Sequence, residues 1–169
     1  MLDEDTGNEF MRLVSQKGLG EEQDMIWLVQ DLHEELKSWG RPGGIAGRLI
    51  MQGDSEKPMV ALREALAKAH GGLITPEQPP KGESVSNGRL EEAGRTIRDM
   101  VRVLKLQLES KLKRTVAIQE PITHWMVRWA AKLLSRFRVG GDGQTTYQRQ
   151  NCKRCISDVV PFWETVWYR

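Results

Sequence analysis

Between Arg89 and Leu108 the apolar residues Leu90, Ile97, Val101, Leu104 and Leu108 recur at helical spacing, the pattern of a helix with one buried stripe. Glu91, Arg95, Arg98, Arg102 and Lys105 share another face, so a single acidic residue heads a file of cations. The spacing predicts a helix that begins after Asn87-Gly88 and runs to about Lys113. Pro121 opens a second one, PITHWMVRWAAKLLSRFRV, which the GGDG stretch ends. Upstream, GEEQDMIWLVQDLHEELKSWG has acidic residues in its first turn, apolar residues at Met25, Leu28, Val29, Leu32 and Leu36, and Gly40 as a stop. SEKPMVALREALAKAHGG predicts one more helix, capped by Ser55 and stopped at Gly71-Gly72.

The short apolar runs read differently. RLIMQ is a strand ending at Gly53-Asp54, and LIT starts another before a Pro, Gly and Ser-rich loop. MLDEDTGNEFMRLV reads as the end of a strand, a turn at Asp5-Thr6-Gly7, and a strand carrying Phe10, Leu13 and Val14. The tail from Thr145 is short and mixed, with a last strand around Thr165 to Tyr168. Strand, strand, helix, strand, helix, strand, helix, helix is an α/β order. The opening hairpin favours a mixed sheet.

Composition narrows the classes. With 28% charged residues, mean hydropathy of -0.51 and no long apolar run, no membrane span and no membrane partner are expected. The acidic start is unlike a secretory signal, which sets the expected location as intracellular. A net charge of +2 over 169 residues cannot steer the whole molecule to nucleic acid, so such binding must come from a local patch. Residues 1–35 are acid-rich and the stretch from Arg89 to Arg154 is basic. Cys152 and Cys155 form a lone CxxC without a second pair, and read as incidental thiols. His33, His70 and His124 lack metal-ligand spacing and read as packing or surface histidines. Trp27, Trp39, Trp125 and Trp129 read as core or interface anchors. The Gly-rich pieces lack a phosphate-binding fingerprint.

Two carboxylates remain. Asp54 follows the RLIMQG strand, where functional side chains of α/β sheets gather, and Glu91 lies in the first turn of a helix entered through a loop. A pair of this kind suits Mg2+ or Mn2+, since hard cations take oxygen ligands, and the arginines beyond Glu91 would meet phosphates. Either residue also has a plain reading: Asp54 as a helix cap, and the Glu91 to Lys105 face as a solvated surface.

At these residues the chain resembles the catalytic core of a retroviral or retrotransposon integrase, of the RNase H-like fold, and most of all the copia-type elements. SNGRLEE matches the family's Asn-Gly-x-x-Glu motif, and LIMQGDSEKP its second catalytic strand, with 36 residues between Asp54 and Glu91. WMVRWAAKLLSRF, TTYQR and VPFWETVWYR resemble the segments that follow. The resemblance implies that Asp54 and Glu91 are catalytic metal carboxylates. It makes Arg95 and Arg98, extended by Arg102 and Lys105, contacts to element-end and target DNA, and it implies a homodimer and a nuclear setting.

The departures carry expectations too. Asp3 and Asp5 sit in the hairpin turn, so neither matches the family's first aspartate, and the core is read as incomplete at its N-terminus. Trp163 stands where a glycine is usual. Residues 1–139 are therefore read as a truncated core and 140–169 as an extension. Weak metal binding and little or no strand transfer by the chain alone are expected. A non-catalytic nucleic-acid-binding or self-associating remnant is the alternative.

Overall fold

A computed structural model describes residues 1–14, 22–41, 43, 48–53, 56–71, 74–77 and 85–164. It divides into two compact units, residues 14–86 and residues 1–13 with 87–169.

The first unit contains helix α1 (Glu22–Ser38), strand β1 (Leu49–Gln52), helix α2 (Lys57–His70) and strand β2 (Ile74–Glu77). Val29, Leu36 and Trp39 form the buried stripe of α1, as its apolar spacing requires. The helix ends as predicted at Gly40, which adopts φ of 79°. The Gly40 and Arg41 amides donate to the Lys37 and Leu36 carbonyls at 2.9 and 3.0 Å, the bonding of a Schellman stop. Trp39 Nε1 donates back to Glu35 Oε1 at 3.1 Å, so its buried ring keeps its polar atom satisfied. Gly71, at φ 93°, closes α2 in the same left-handed way. Its start differs from expectation: Glu56 occupies the cap position without a side-chain cap bond, and Ser55 lies outside the described residues.

Strands β1 and β2 pair in parallel, Leu49 opposite Ile74 through Gln52 opposite Glu77, with α2 as the connection. This is a β-α-β arrangement, compatible with the α/β class. The sheet is parallel rather than mixed among the described residues, because the N-terminal hairpin does not join it. Arg63 of α2, 4% exposed, donates from Nη1 to the carbonyls of Gly53 at 3.4 Å and Glu77 at 3.1 Å. One guanidinium thus ties the carboxyl ends of both strands together.

The second unit is built on helix α3 (Val85–Leu112), helix α4 (Pro121–Phe137) and the short helix α5 (Thr146–Asn151). Ile97, Leu104 and Leu108 pack with Val116, Met126, Ala130, Ala131 and Leu134 into one core. Two expectations for α3 change. The helix begins at Val85, so Asn87 and Gly88 lie in its first turn rather than before it; Gly88 adopts no positive φ that would break the helix. Leu90 is 45% exposed although it lies on the same helical stripe as Leu108; it lines the open groove beside the hairpin, and Ala93 is the first buried residue of the stripe.

The connection to α4 is locked by carboxylates. Glu109 accepts from the Val116 amide at 2.8 Å, and Glu120 accepts from the Ala117 amide and from both Nη atoms of Arg114, all at 2.8 Å. Arg114 and the amide together pull the Glu120 carboxyl down to about 2. Beyond α4, Thr145 and Gln148 form a reciprocal capping box that starts α5. Phe162 then lies over Trp129, ring centroids 6.5 Å apart. Trp125, on the same helix, is 63% exposed, so of the two tryptophans only Trp129 packs against the core.

Residues 1–10 make a hairpin with one antiparallel bridge, Leu2 to Glu9. Asp3 accepts from the Thr6 hydroxyl at 2.7 Å and the Asp5 amide at 3.3 Å, shaping the turn. After Phe10 the chain does not continue as a strand, since Phe10 is buried and Met11 packs against the helical core. The hairpin is fastened to α5 by Asn8 Nδ2 to Gln150 Oε1 at 2.8 Å, Thr146 Oγ1 to the Gly7 carbonyl at 3.2 Å, and Arg149 Nη1 to the Thr6 carbonyl at 3.0 Å. Leu13, Val14 and the residues between 165 and 168 form no described strand; the latter lie outside the described residues.

Candidate functional site

The hairpin and the first half of α3 enclose a shallow groove of about 390 Å3. Met1, Phe10 and Met11 form one wall. Glu91, Arg95 and Arg98 stand along the other, with Ala93, Gly94 and Ile97 at the floor. The spacing 91, 95, 98 places the three charged side chains on one strip of helix surface, and all three are exposed. Gly94 widens the groove: a methyl group there would lie 3.6 Å from Met11 Cε.

The cations of this face are not equivalent. Arg102 Nη1 is bound to Asp99 Oδ1 at 2.7 Å, and Lys105 Nζ stands 3.6 Å from Glu109 Oε1. Both carry part of their charge into neighbours on the same helix. Arg95 and Arg98 make no ion pair among the described residues, and neither does Glu91. The two arginines nearest the groove are therefore the ones available to an incoming anion, whereas the extension to Arg102 and Lys105 is partly neutralised. From Arg89 to Arg154 the chain carries 15 Lys and Arg against 6 Asp and Glu, so the surroundings add positive potential.

Asp54 lies outside the described residues. Its neighbour Gly53 is held by Arg63 at the carboxyl end of β1, the kind of position the strand pattern implied. Among the described residues no three His, Cys, Asp or Glu side chains gather as a metal-holding group. Glu91 offers exposed carboxylate oxygens of the type hard cations take, on the same strip of helix as Arg95 and Arg98. Cys152 and Cys155 are free thiols, the first exposed.

Two features, one in each unit, were missed in the residue pattern. Glu9 is nearly buried, with its side chain 9% exposed, and sits 3.4 Å from Arg138 Nη1, while Arg138 Nη2 lies 3.8 Å from Glu92 Oε1. Among the described residues its Oε2 has no hydrogen-bond partner. Burial pushes the Glu9 carboxyl up, Arg138 offsets this in part, and Glu92 adds to it. Nothing in the alternation around Phe10 marks Glu9 as inward-facing. The second is the pairing of His33 with His70, taken up below, which replaces the reading of isolated histidines.

No known protein-family model matches the chain, and no curated protein matches it. No helix among the described residues is long and apolar enough to cross a membrane.

Proposed function

We propose that the chain is a nucleic-acid-binding core of the integrase type, RNase H-like, which meets DNA phosphates through Arg95 and Arg98 at the hairpin groove. The observation that carries this reading is the exposed triad of Glu91, Arg95 and Arg98 on one strip of α3, which makes no ion pair among the described residues. The SNGRLEE and LIMQGDSEKP motifs support it. By the resemblance, Glu91 and Asp54 are the carboxylates that would hold Mg2+ or Mn2+, an ion that would supply Lewis-acid activation for phosphodiester transfer. Arg95 and Arg98 position the phosphate. No residue of the 169 matches the family's first aspartate, and two carboxylates hold a hard cation weakly. Strand transfer by this chain alone is therefore not expected.

A second reading is a binding module without catalysis, favoured by the 15 to 6 excess of basic residues from Arg89 to Arg154. Calorimetry with Mn2+ on the wild type and on an Asp54→Asn, Glu91→Gln variant separates the two. Binding that the double substitution removes, with the fold intact, supports a shared metal site. Absence of binding in a folded chain leaves the phosphate-binding role alone, to be tested by duplex DNA affinity.

A further inference from the structure

His33 and His70 belong to different helices and are separated by 37 positions, yet their Nδ1 atoms stand 3.3 Å apart. Their rings meet edge to face, with centroids 5.4 Å apart and an interplanar angle of 85°. His33 projects from the middle of α1 and His70 is the last residue of α2, two helices packed against each other in one unit. His70 is 2% exposed. Gly43 holds it from a third side: at φ 79°, a side chain on Gly43 would collide with the His70 carbonyl oxygen and lie 3.2 Å from two ring atoms. The pair is thus built into the packing and is not a chance surface encounter.

Two neutral imidazoles at this distance share one proton, one Nδ1 donating and the other accepting. Burial, His33 and the nearby Lys37 each favour the neutral form of His70. Neutral imidazole nitrogen is the ligand that borderline divalent metals choose. The separation carries the argument further. Two nitrogens bound at roughly 2.0–2.1 Å to a tetrahedral ion stand about 3.3–3.4 Å apart, so the pair already has the span of one edge of such a site.

We propose that His33 and His70 bind a borderline divalent cation, Zn2+ being the reference, through both Nδ1 atoms. The ring that donates in the metal-free pair moves its proton to Nε2, so no net proton is lost. Among the described residues no third His, Cys, Asp or Glu joins them, and the remaining positions fall to water or another small ligand. The site is therefore of the open kind and not a closed four-ligand structural centre. It is independent of Asp54 and Glu91, whose oxygen ligands suit harder cations.

The test is Zn2+ titration calorimetry on the full chain carrying Cys152→Ser and Cys155→Ser, which removes the thiols as competing ligands. One Zn2+ per chain, a higher melting temperature with Zn2+ and no response of the pair to Mg2+ are expected. His33→Gln and His70→Gln should each weaken Zn2+ at least about tenfold, as the loss of even an outer partner of a metal ligand does. Because His70→Gln alters a buried site, the half-buried His33 variant decides if the other does not fold. Co2+ should give the visible absorption of a tetrahedral nitrogen-ligated ion, lost in His33→Gln. An unchanged Zn2+ isotherm in folded His33→Gln, or no Zn2+ binding by the folded thiol-free chain, would overturn the proposal.

Discussion

Arg149 grips Asp142 with two hydrogen bonds, Nε to Oδ2 at 2.9 Å and Nη2 to Oδ1 at 2.6 Å, while its Nη1 reaches the carbonyl of Thr6 at 3.0 Å. One guanidinium therefore joins the 140–145 turn, α5 and the N-terminal hairpin that forms a wall of the groove. The Arg149 charge and the Gln144 amide hold the Asp142 carboxyl well below the usual carboxylate range. A depressed carboxylate contributes stability above its unfolded pKa, near 3.9, and loses it as pH falls through that value towards the folded one. Acidification below about pH 4 should thus free the hairpin first, read as faster amide exchange at Phe10 and Asn151. In Asp142→Asn the exchange should already be fast at neutral pH and lose this acid step.

Gly140 shares that arrangement. A methyl group at 140 would fall on the Arg149 guanidinium and lie 3.0 Å from Asp142 Oδ1. The far end of an arginine normally swings aside at little cost, but here it is held by Asp142, Gln144 and Thr6. Gly140→Ala should therefore reproduce the exchange behaviour of Asp142→Asn, whereas Gly141→Ala, which meets nothing within 4 Å, should leave it unchanged. Equal effects of the two substitutions would place the cost in backbone conformation and not in the ion pair.

Glu9 runs the opposite way with pH. Its carboxyl is pushed up by burial, so its neutral form is favoured in the folded chain. The associated stability is present below the unfolded pKa and is lost as pH rises through the folded value. Glu9→Gln removes the titration while keeping the shape. Denaturant unfolding should show the variant gaining on the wild type between pH 4 and pH 8. A constant difference across that range would mean that Arg138 compensates the buried charge in full.

How much of this was visible in the residue pattern depends on how local each feature is. The four long helices follow from periodicity sustained over several turns, with Gly40 and Gly71 as stops and Pro121 as a start. The start of α3 was misplaced because Asn-Gly reads as a turn, although here the pair sits in helical conformation. The capping box at Thr145 and Gln148 is a four-residue signal and could have been found. The Glu91, Arg95, Arg98 strip was legible because helical spacing alone brings it together. In contrast, His33 with His70, Arg149 with Thr6 and Arg138 with Glu9 join residues that only tertiary packing makes neighbours, and no local period encodes that.

Core and groove respond differently to substitution of α3 and α4. Met126 is fully buried at the centre of the helical core, so Met126→Ala should cost roughly 2–5 kcal/mol. Gly94 is an interior helix residue without positive φ, and a methyl there meets Met11 Cε and Arg98 Nη1 only at ordinary contact distances of 3.6 and 3.8 Å. Gly94→Ala should stabilise by about 0.5–1 kcal/mol, measured by denaturant unfolding. A destabilised Gly94→Ala would show that the groove wall cannot take one more methyl group.

The same groove yields the sharpest test of the phosphate-binding role. Among the described residues Arg95 and Arg98 make no ion pair, whereas Arg102 is held by Asp99 and Lys105 by Glu109. Each cation that neutralises a phosphate of duplex DNA contributes about 0.9 to the slope of log affinity against log salt. Arg95→Ala with Arg98→Ala should therefore flatten that slope by about 2 and weaken binding at low salt, with little change in sequence preference. Arg102→Ala with Lys105→Ala removes the same formal charge from the same helix. If position at the groove matters, it should flatten the slope by less, because each of those cations must first leave its carboxylate partner. Equal slopes for the two double variants would mean that DNA senses only the net charge of α3, and would remove the groove from the reading.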